Sequence, residues 1–257
     1  MKKINLNSDI GEGFGAYNIG NDDAMLDIVQ SANIACGFHA GDPNVMDRVV
    51  RMAAEKGVSI GAHPGFNDIW GFGRRRIYMP MEEIEASVAY QIGALQAIAI
   101  SNNTAVTHVK PHGALNNMSS EIPEIAEAIA KAINAVDNQL IVVAVAGSHL
   151  FTSGRNLGLN LVAEAYADRT YEEDGNMTNR KYDHAMIRDP EQAVEQVRQL
   201  ILEGVIVANN GVKIPTEVDT ICIHGDEPTG PSIAEAIRKM LKDEGVELVT
   251  LPQLYLN

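Results

Sequence analysis

His108-Val109-Lys110-Pro111-His112-Gly113-Ala114-Leu115-Asn116-Asn117 is the stretch that decides the fold. It opens on Ala105-Val106-Thr107, which reads as a strand after a long helical segment. Side chains alternate faces along a strand, so His108, Lys110 and His112 share one face and Thr107 and Val109 the other. Two imidazoles and an ammonium on one face are costly to bury without partners. Proline followed by glycine takes the chain out of a sheet. These groups therefore stand at the carboxyl end of a strand, where parallel α/β sheets and barrels carry their chemistry. The plain alternative is three solvated residues opening a loop.

Outward from this stretch the same pattern recurs. Residues 4–9 read as a strand with Asn5, Asn7 and Asp9 on one face, leading into the loop Gly11-Glu12-Gly13-Phe14-Gly15. Residues 31–39 give a second strand and its exit, ending at His39, and residues 58–63 a third, ending at His63. Further strands are expected over 140–145, 159–167, 220–224 and 246–250. Glu164 and Asp168 share a face in the second of these, as do His224 and Asp226 in and beyond the third. Helical periodicity or start signals fill the gaps, over 24–30, 43–56, 81–101, 121–136, 147–157, 191–203 and 232–243. Asp42-Pro43, for instance, is an N-cap followed by proline at the first helical position. Two long polar loops interrupt the alternation, residues 64–78 and 168–189, and their length marks them as functional.

Strands alternating with helices make a parallel sheet, and seven or eight of them in 257 residues favour a closed barrel over an open sheet. No repeat, linker or composition break divides the chain, so residues 1–257 read as a single β/α barrel domain. A fully buried parallel strand should be almost wholly apolar. Six of these strands instead carry polar groups on one parity near the carboxyl end, and if that parity faces the barrel interior they converge on one pocket.

Composition narrows the partners. A net charge of -14 argues against nucleic acid and anionic membrane surfaces, which need a basic face. Arg74-Arg75-Arg76 stands out in so acidic a chain and suits a phosphate or carboxylate, or else a solvated loop. Cys36 and Cys222 make no disulfide framework and point to a reduced, cytoplasmic setting. They read as packing residues of apolar strands. The start, Met1-Lys2-Lys3, shows no apolar signal segment, and no apolar run reaches membrane-spanning length. Neither a phosphate-binding Gly-x-x-x-x-Gly-Lys-Ser/Thr loop nor a Gly-x-Gly-x-x-Gly turn into a helix is present, so the chain has no standard nucleotide site.

Asp9, His39, His63, His108, His112, His224 and Asp226 are types that hold a divalent cation or move protons near neutrality. Asp9, His39, His63 and His112 are the metal candidates, with general acid/base work without a metal as the alternative. Lys110 reads either as a stabiliser of a developing oxyanion or as the internal partner of Asp9 or Glu164. Asp168-Arg169 suits an internal ion pair, and His149 and His184 read as structural.

Several of these blocks together resemble the LamB/YcsF family. They are Leu6-Asn7-Ser8-Asp9-Ile10-Gly11-Glu12, Ser31-Ala32-Asn33-Ile34-Ala35-Cys36-Gly37-Phe38-His39-Ala40-Gly41-Asp42-Pro43, Gly61-Ala62-His63-Pro64-Gly65-Phe66, Gly71-Phe72-Gly73-Arg74-Arg75, the His108–Leu115 block, Ala167-Asp168-Arg169 through Asp174-Gly175, and His224-Gly225-Asp226. The chain departs from the family pattern at Asn116, where tyrosine is expected, and at Asn176-Met177-Thr178-Asn179-Arg180, where an aliphatic residue and a Pro-Arg pair are expected.

The resemblance implies a distorted TIM-like (β/α) barrel of about seven parallel strands, as in the glycoside hydrolase/deacetylase superfamily. It also implies one subunit of the ATP-dependent 5-oxoprolinase, which opens 5-oxoproline to glutamate with two other subunits and ATP with Mg2+ as co-substrate. On that reading Asp9, His39, His63, His108, Lys110 and His112 are the catalytic candidates. Asp9 or a strand-end histidine serves as base on water, with Lys110 and a histidine at the oxyanion. Asn7, Glu12, Arg74, Arg75, Glu164, Asp168, Arg169, His224 and Asp226 are the substrate-binding candidates, Arg74 or Arg75 holding a carboxylate or phosphate. Lys110→Ala and His112→Ala are then expected to abolish turnover and leave the fold intact. Two other readings use the same residues: a stand-alone metal-dependent deacetylase or amidohydrolase, and a non-catalytic carrier of 5-oxoproline.

Overall fold

Six strands lie side by side in chain order, each parallel to the next: β1 (Lys3–Ile10), β2 (Ser31–Ala35), β3 (Ser59–His63), β4 (Val106–Val109), β5 (Ile141–Val145) and β6 (Asn160–Tyr166). A short antiparallel hairpin, β7 (Val205–Val207) and β8 (Lys213–Pro215), stands outside this sheet. β9 (Thr220–Cys222) then pairs with both β6 and β1 and closes the ring as a seven-stranded parallel barrel. β10 (Glu247–Leu248) adds to the beginning of β1. This computed structural model describes residues 2–226 and 228–255.

The helices are α1 (Asp22–Leu26), α2 (Pro43–Glu55), α3 (Met81–Ser101), α4 (Gly113–Glu121), α5 (Pro123–Val136), α6 (His149–Asn156), α7 (Pro190–Arg198) and α8 (Gly230–Asp243). Their apolar faces bury the outward strand residues, among them Leu6, Ile34, Ala62, Val109, Val142, Ala165 and Ile221. Each buried isoleucine or leucine in this shell contributes about 1.5–3 kcal/mol. Sequence sets the ends of these helices locally. The Asp42 carboxylate accepts from the amides of Asn44 and Val45, capping α2, and Gly57 ends its last turn at φ 69°.

The inward parity differs. Near the strand beginnings Ile141, Val143 and Val162 pack with Leu251 and seal one end. Elsewhere the interior is polar: Asn5 Nδ2 donates to Ser31 Oγ (2.8 Å), the Thr220 hydroxyl to Asn5 Oδ1 (2.8 Å), and Asn7 Nδ2 to Thr220 Oγ1 (2.7 Å). Small barrels fill their interior with side chains. Here the filling is a hydrogen-bonded stack that leads up to the carboxyl ends of the strands.

The structure corrects four expected elements. The helix after Asp22 stops at Leu26 and not Gln30. Residues 113–121 form α4, separated from α5 by the Ile122-Pro123 break; no side chain caps its start at His112, so the sequence offers no start signal there. The helix expected over 191–203 is α-helical only to Arg198 and finishes as a π turn, Gln199–Glu203, closed by Gly204. The β7–β8 hairpin has no counterpart among the expected elements. Among the described residues no helix is long and apolar enough to cross a membrane.

Candidate active site

Lys110 is the centre of the barrel mouth. Its backbone N–H bonds Ala62 O at 2.9 Å, so pairing to β3 continues past the end of β4, and Lys110 keeps the inward parity. The ammonium is 1% exposed and lies 3.0 Å from Asp9 Oδ1, 2.9 Å from Glu164 Oε1, 3.3 Å from Asn7 Oδ1 and 3.0 Å from Cys222 Sγ. Burial alone would discharge it, but Asp9 and then its other acidic neighbours hold its pKa well above the ordinary lysine value. Asp9 answers in kind: burial opposes ionisation, and the pull of His63 and Lys110 outweighs it, keeping the carboxyl well below the usual range. Both internal pairings open to Lys110 in the sequence are made at once. Cys222, read as packing, floors this cluster, and burial raises its thiol well above the ordinary value.

His108 lies one layer deeper. Its Nε2 bonds Asn33 Oδ1 (3.2 Å), whose amide nitrogen donates to Asn7 Oδ1 (2.8 Å) and Asp9 Oδ1 (2.9 Å). Burial, then Lys110, pushes the imidazole pKa down to about 3, which makes His108 a neutral strut beneath the pocket. The register shift between Ile60 and Gly61 seats the ring directly over Gly61, where a β-carbon would fall 2.1 Å from His108 Cδ2. Gly61→Ala should therefore destabilise the chain by at least about 1–3 kcal/mol, the overpacking range. A urea midpoint equal to the parent's would show that His108 is free to move.

Beside this column His39, His63 and His112 converge. His63 Nδ1 lies 2.6 Å from Lys110 O and His112 Nε2 2.8 Å from Phe72 O. The rings of His39 and His112 stack at 3.6 Å between centroids. Glu12 Oε1 is 3.3 Å from His39 Nε2 and 3.5 Å from His112 Nδ1. Burial, reinforced by Asp9, raises the Glu12 carboxyl to about 7. Burial likewise holds His39 and His112 well below the ordinary histidine value, His63 adding to it in the first and His39 in the second. Of the four metal candidates, Asp9 divides its oxygens, Oδ1 facing Lys110 at 3.0 Å and Oδ2 facing His63 Nε2 at 3.2 Å, and Glu12 joins the three histidines as a further carboxylate.

Across the mouth, His224 directs Nδ1 at Asp168 Oδ2 (2.8 Å), and its backbone N–H donates to the same carboxylate (3.0 Å). Its Nε2 opens toward Asp9 Oδ2 at 3.9 Å. Asp168 is thus committed to His224. Arg169, expected as its ion-pair partner, instead donates to Ala185 O (3.2 Å) and Thr178 O (2.6 Å), pinning the second long loop. Arg74 pairs with Asp226 at 2.8 Å. Arg75 is turned away from the pocket onto Asp68, which corrects its assignment to the substrate.

Above this floor is a cavity of about 730 Å3, within the usual range for small-molecule sites. Asp9, His63, Lys110, His112 and His224 line its base, and Arg74, Arg169 and Arg180 its wall. Asn7 and Glu164 sit below it, and His184, read as structural, borders it. Arg180 is a site residue that the sequence reading misses. It is half-buried, forms no ion pair among the described residues, and lies 3.3 Å from His224 Nε2. Burial, then Arg74 and Arg169, lowers its pKa to about 10. A guanidinium so placed suits an anionic group entering the cavity. Its sequence signal is its place at the end of residues 176–180, the polar-loop segment where the chain departs from the family pattern. Tyr166 is missed too, although its strand parity is inward; its ring stacks on His224 at 5.5 Å.

Fold and site define a closed parallel β/α barrel with its ionisable side chains gathered at the carboxyl ends of the strands. The structure of a T48 deacetylase shares this fold at a TM-score of 0.51 and 17% identity, over 99% of this chain and 90% of that one. Within that class the chain belongs to the LamB/YcsF family, whose signature matches residues 4–255. The crystal structure of a lactam utilization protein from Thermus thermophilus superposes with a TM-score of 0.91 at 41% identity, covering 97% of this chain and all of that one. The 5-oxoprolinase A-subunit from Natranaerobius thermophilus is 49% identical over 251 residues, 98% of each chain.

Proposed function

We propose that this chain is the lactam-opening subunit of an ATP-dependent 5-oxoprolinase, working on 5-oxo-L-proline with two partner subunits and ATP with Mg2+ as the complex's co-substrate. The observation that carries this reading is the end-to-end similarity, at 49% identity, to a chain named as a 5-oxoprolinase A-subunit. The cavity suits such a substrate: a guanidinium with no ion-pair partner among the described residues stands beside an Asp168–His224 pair. At about 730 Å3 it is also larger than one five-membered lactam fills, leaving room for a phosphorylated form.

Water adds to the lactam carbonyl carbon and gives its proton to His224 Nε2, held in place by Asp168. A lactam is a stable amide, so phosphorylation of its oxygen, with ATP supplied through the partners, activates the carbonyl carbon before water adds. The ring C–N bond then breaks as the nitrogen takes a proton, leaving γ-glutamyl phosphate, and a second water releases inorganic phosphate and glutamate. Lys110, saturated by Asp9, Glu164 and Asn7, keeps Asp9 ionised next to the reacting water and does not reach out to the oxyanion. Asp9 in turn stabilises the imidazolium formed at His224.

The test is glutamate release from 5-oxoproline by the chain alone and with candidate partner subunits, with and without ATP. Turnover only in the complete mixture supports the reading. Turnover by the chain alone would favour a stand-alone amidohydrolase, and ring opening that survives loss of the strand-end histidines and of Asp9 would make the chain a carrier. Within an active complex, Arg180→Gln should raise KM about 10- to 100-fold, as expected for losing a charge-assisted hydrogen bond worth ~1.5–3 kcal/mol, with a smaller change in kcat. An unchanged KM would remove Arg180 from the substrate.

A further inference from the structure

Two hydrogen bonds in the histidine cluster leave one positive centre, a proton or a metal ion, to be placed. A carbonyl oxygen only accepts, so His63 Nδ1 and His112 Nε2 each carry a hydrogen, pointed at Lys110 O and Phe72 O. The other two nitrogens, His63 Nε2 and His112 Nδ1, face each other at 3.0 Å. In neutral rings this sets lone pair against lone pair, and some positive centre has to lie between them. Glu12 and His39 add one oxygen and one nitrogen at the same place: the four ligand atoms all fall within 4.8 Å of one another.

We propose that Glu12, His39, His63 and His112 form a binding site for one divalent transition metal ion, zinc by its donor set. Three imidazoles and one carboxylate are a common zinc environment. Bonds of about 2.0–2.1 Å in a tetrahedron place neighbouring ligand atoms roughly 3.3 Å apart. Three of the six separations here are 3.0 Å for His63–His112, 3.3 Å for Glu12–His39 and 3.5 Å for Glu12–His112, and the other three fall within 4.8 Å. Backbone carbonyls that fix the tautomers of two of the rings are the outer support that metal-bound histidines need. The surrounding loops are shaped to these rings: a β-carbon on Gly73, which has φ +62°, would fall 2.6 Å from His39 Cβ and 2.8 Å from His112 Cδ2. The competing solution is a single proton between His63 and His112, with Asp9 Oδ2, 3.2 Å from His63 Nε2, as the counter-ion of the imidazolium.

This site rests on the geometry of four side chains and not on the lactam reading. Metal uptake without turnover, or turnover without uptake, separates the two. The chain, stripped with a chelator and dialysed, is titrated with Zn2+ by calorimetry and with Co2+ by visible absorption. One equivalent of each is expected, with the intense d–d band of tetrahedral cobalt. His112→Asn and Glu12→Gln should weaken uptake at least about 10- to 100-fold, while His149→Asn, exposed at the start of α6, should bind as the parent does. Urea midpoints of the metal-free variants, compared with that of the metal-free parent, separate loss of a ligand from loss of fold. No uptake by the folded parent, with 15N NMR showing one ring protonated on both nitrogens, would overturn the metal and establish the shared proton. Uptake unchanged in both ligand variants would place the ion elsewhere and overturn the assignment equally.

Discussion

Lys110→Met should lower the stability of the chain by about 3–5 kcal/mol, the usual consequence of removing one partner from a buried ionic cluster, and Glu164→Gln made alongside it should return most of that loss. The reason is charge balance inside the barrel. Lys110 is the cation between Asp9 and Glu164, with ammonium–oxygen distances of 3.0 and 2.9 Å. Without it two carboxylates face each other, Glu164 fully buried and Asp9 nearly so at the cavity floor, while the methionine fills the stem volume and leaves little cavity. Glu164→Gln removes one of the two charges and keeps an oxygen for Asn7 Nδ2, now 3.0 Å from Glu164 Oε1. Asp9 then retains Asn33 and His63. Urea unfolding of the two single variants and the double variant forms a thermodynamic cycle whose interaction energy reads the pair directly. Turnover should not return with stability, because Asp9 has lost the ammonium that holds it in place. If Lys110→Met unfolds at the parent's midpoint, the buried cluster is not what organises the mouth. The same charge balance revises the expectation from sequence that Lys110→Ala would leave the fold intact: a lysine read as a reagent is also a structural counter-ion.

That revision shows which information a linear sequence carries. The barrel and the inward parity were legible because polar residues on alternate positions of six strands make no sense in a two-sided buried sheet unless the strands curl around them. Asp9, His63, Lys110, His112 and His224 indeed meet at one cavity floor. Depth was not legible. His108 has the same parity as Lys110, yet it is a strut over Gly61, because a register shift in β3–β4 tucks it a layer below. Nor was loop direction: Arg74 and Arg75 are neighbours, and one faces the pocket while the other swings onto Asp68. Arg180 was not placed because a long polar loop has no periodicity to assign it a side. The hairpin is a different case. Asn210-Gly211, with Gly211 at φ 85°, is a turn signal between two β-branched runs, and it was there to be read.

His224→Gln should lower kcat by about 10²- to 10⁴-fold, the range for losing a general base, with KM close to the parent's. The geometry separates this effect from binding. Asp168 fixes His224 through Nδ1 and the backbone N–H, and Tyr166 stacks on its ring, so Nε2 points into the cavity between Asp9 Oδ2 at 3.9 Å and the Arg180 guanidinium at 3.3 Å, which a substrate carboxylate would draw onto itself. Glutamine spans a similar length, and its amide accepts a hydrogen bond where an imidazole nitrogen would take up a proton. On the lactam reading the substrate's carboxylate goes to Arg180 on the wall, and the glutamine side-chain oxygen keeps an acceptor for that guanidinium where His224 Nε2 stood, 3.3 Å away. Asp168→Asn moves kcat in the same direction by a smaller factor, since His224 keeps its place in the chain but loses the carboxylate that orients it. Steady-state kinetics of the intact complex then give a crossed pattern, kcat falling in the His224 and Asp168 variants and KM rising in Arg180→Gln. A His224→Gln enzyme that kept its kcat would take the proton transfer away from this histidine and leave Asp9 or His63, the other groups on the cavity floor, to be tested in its place.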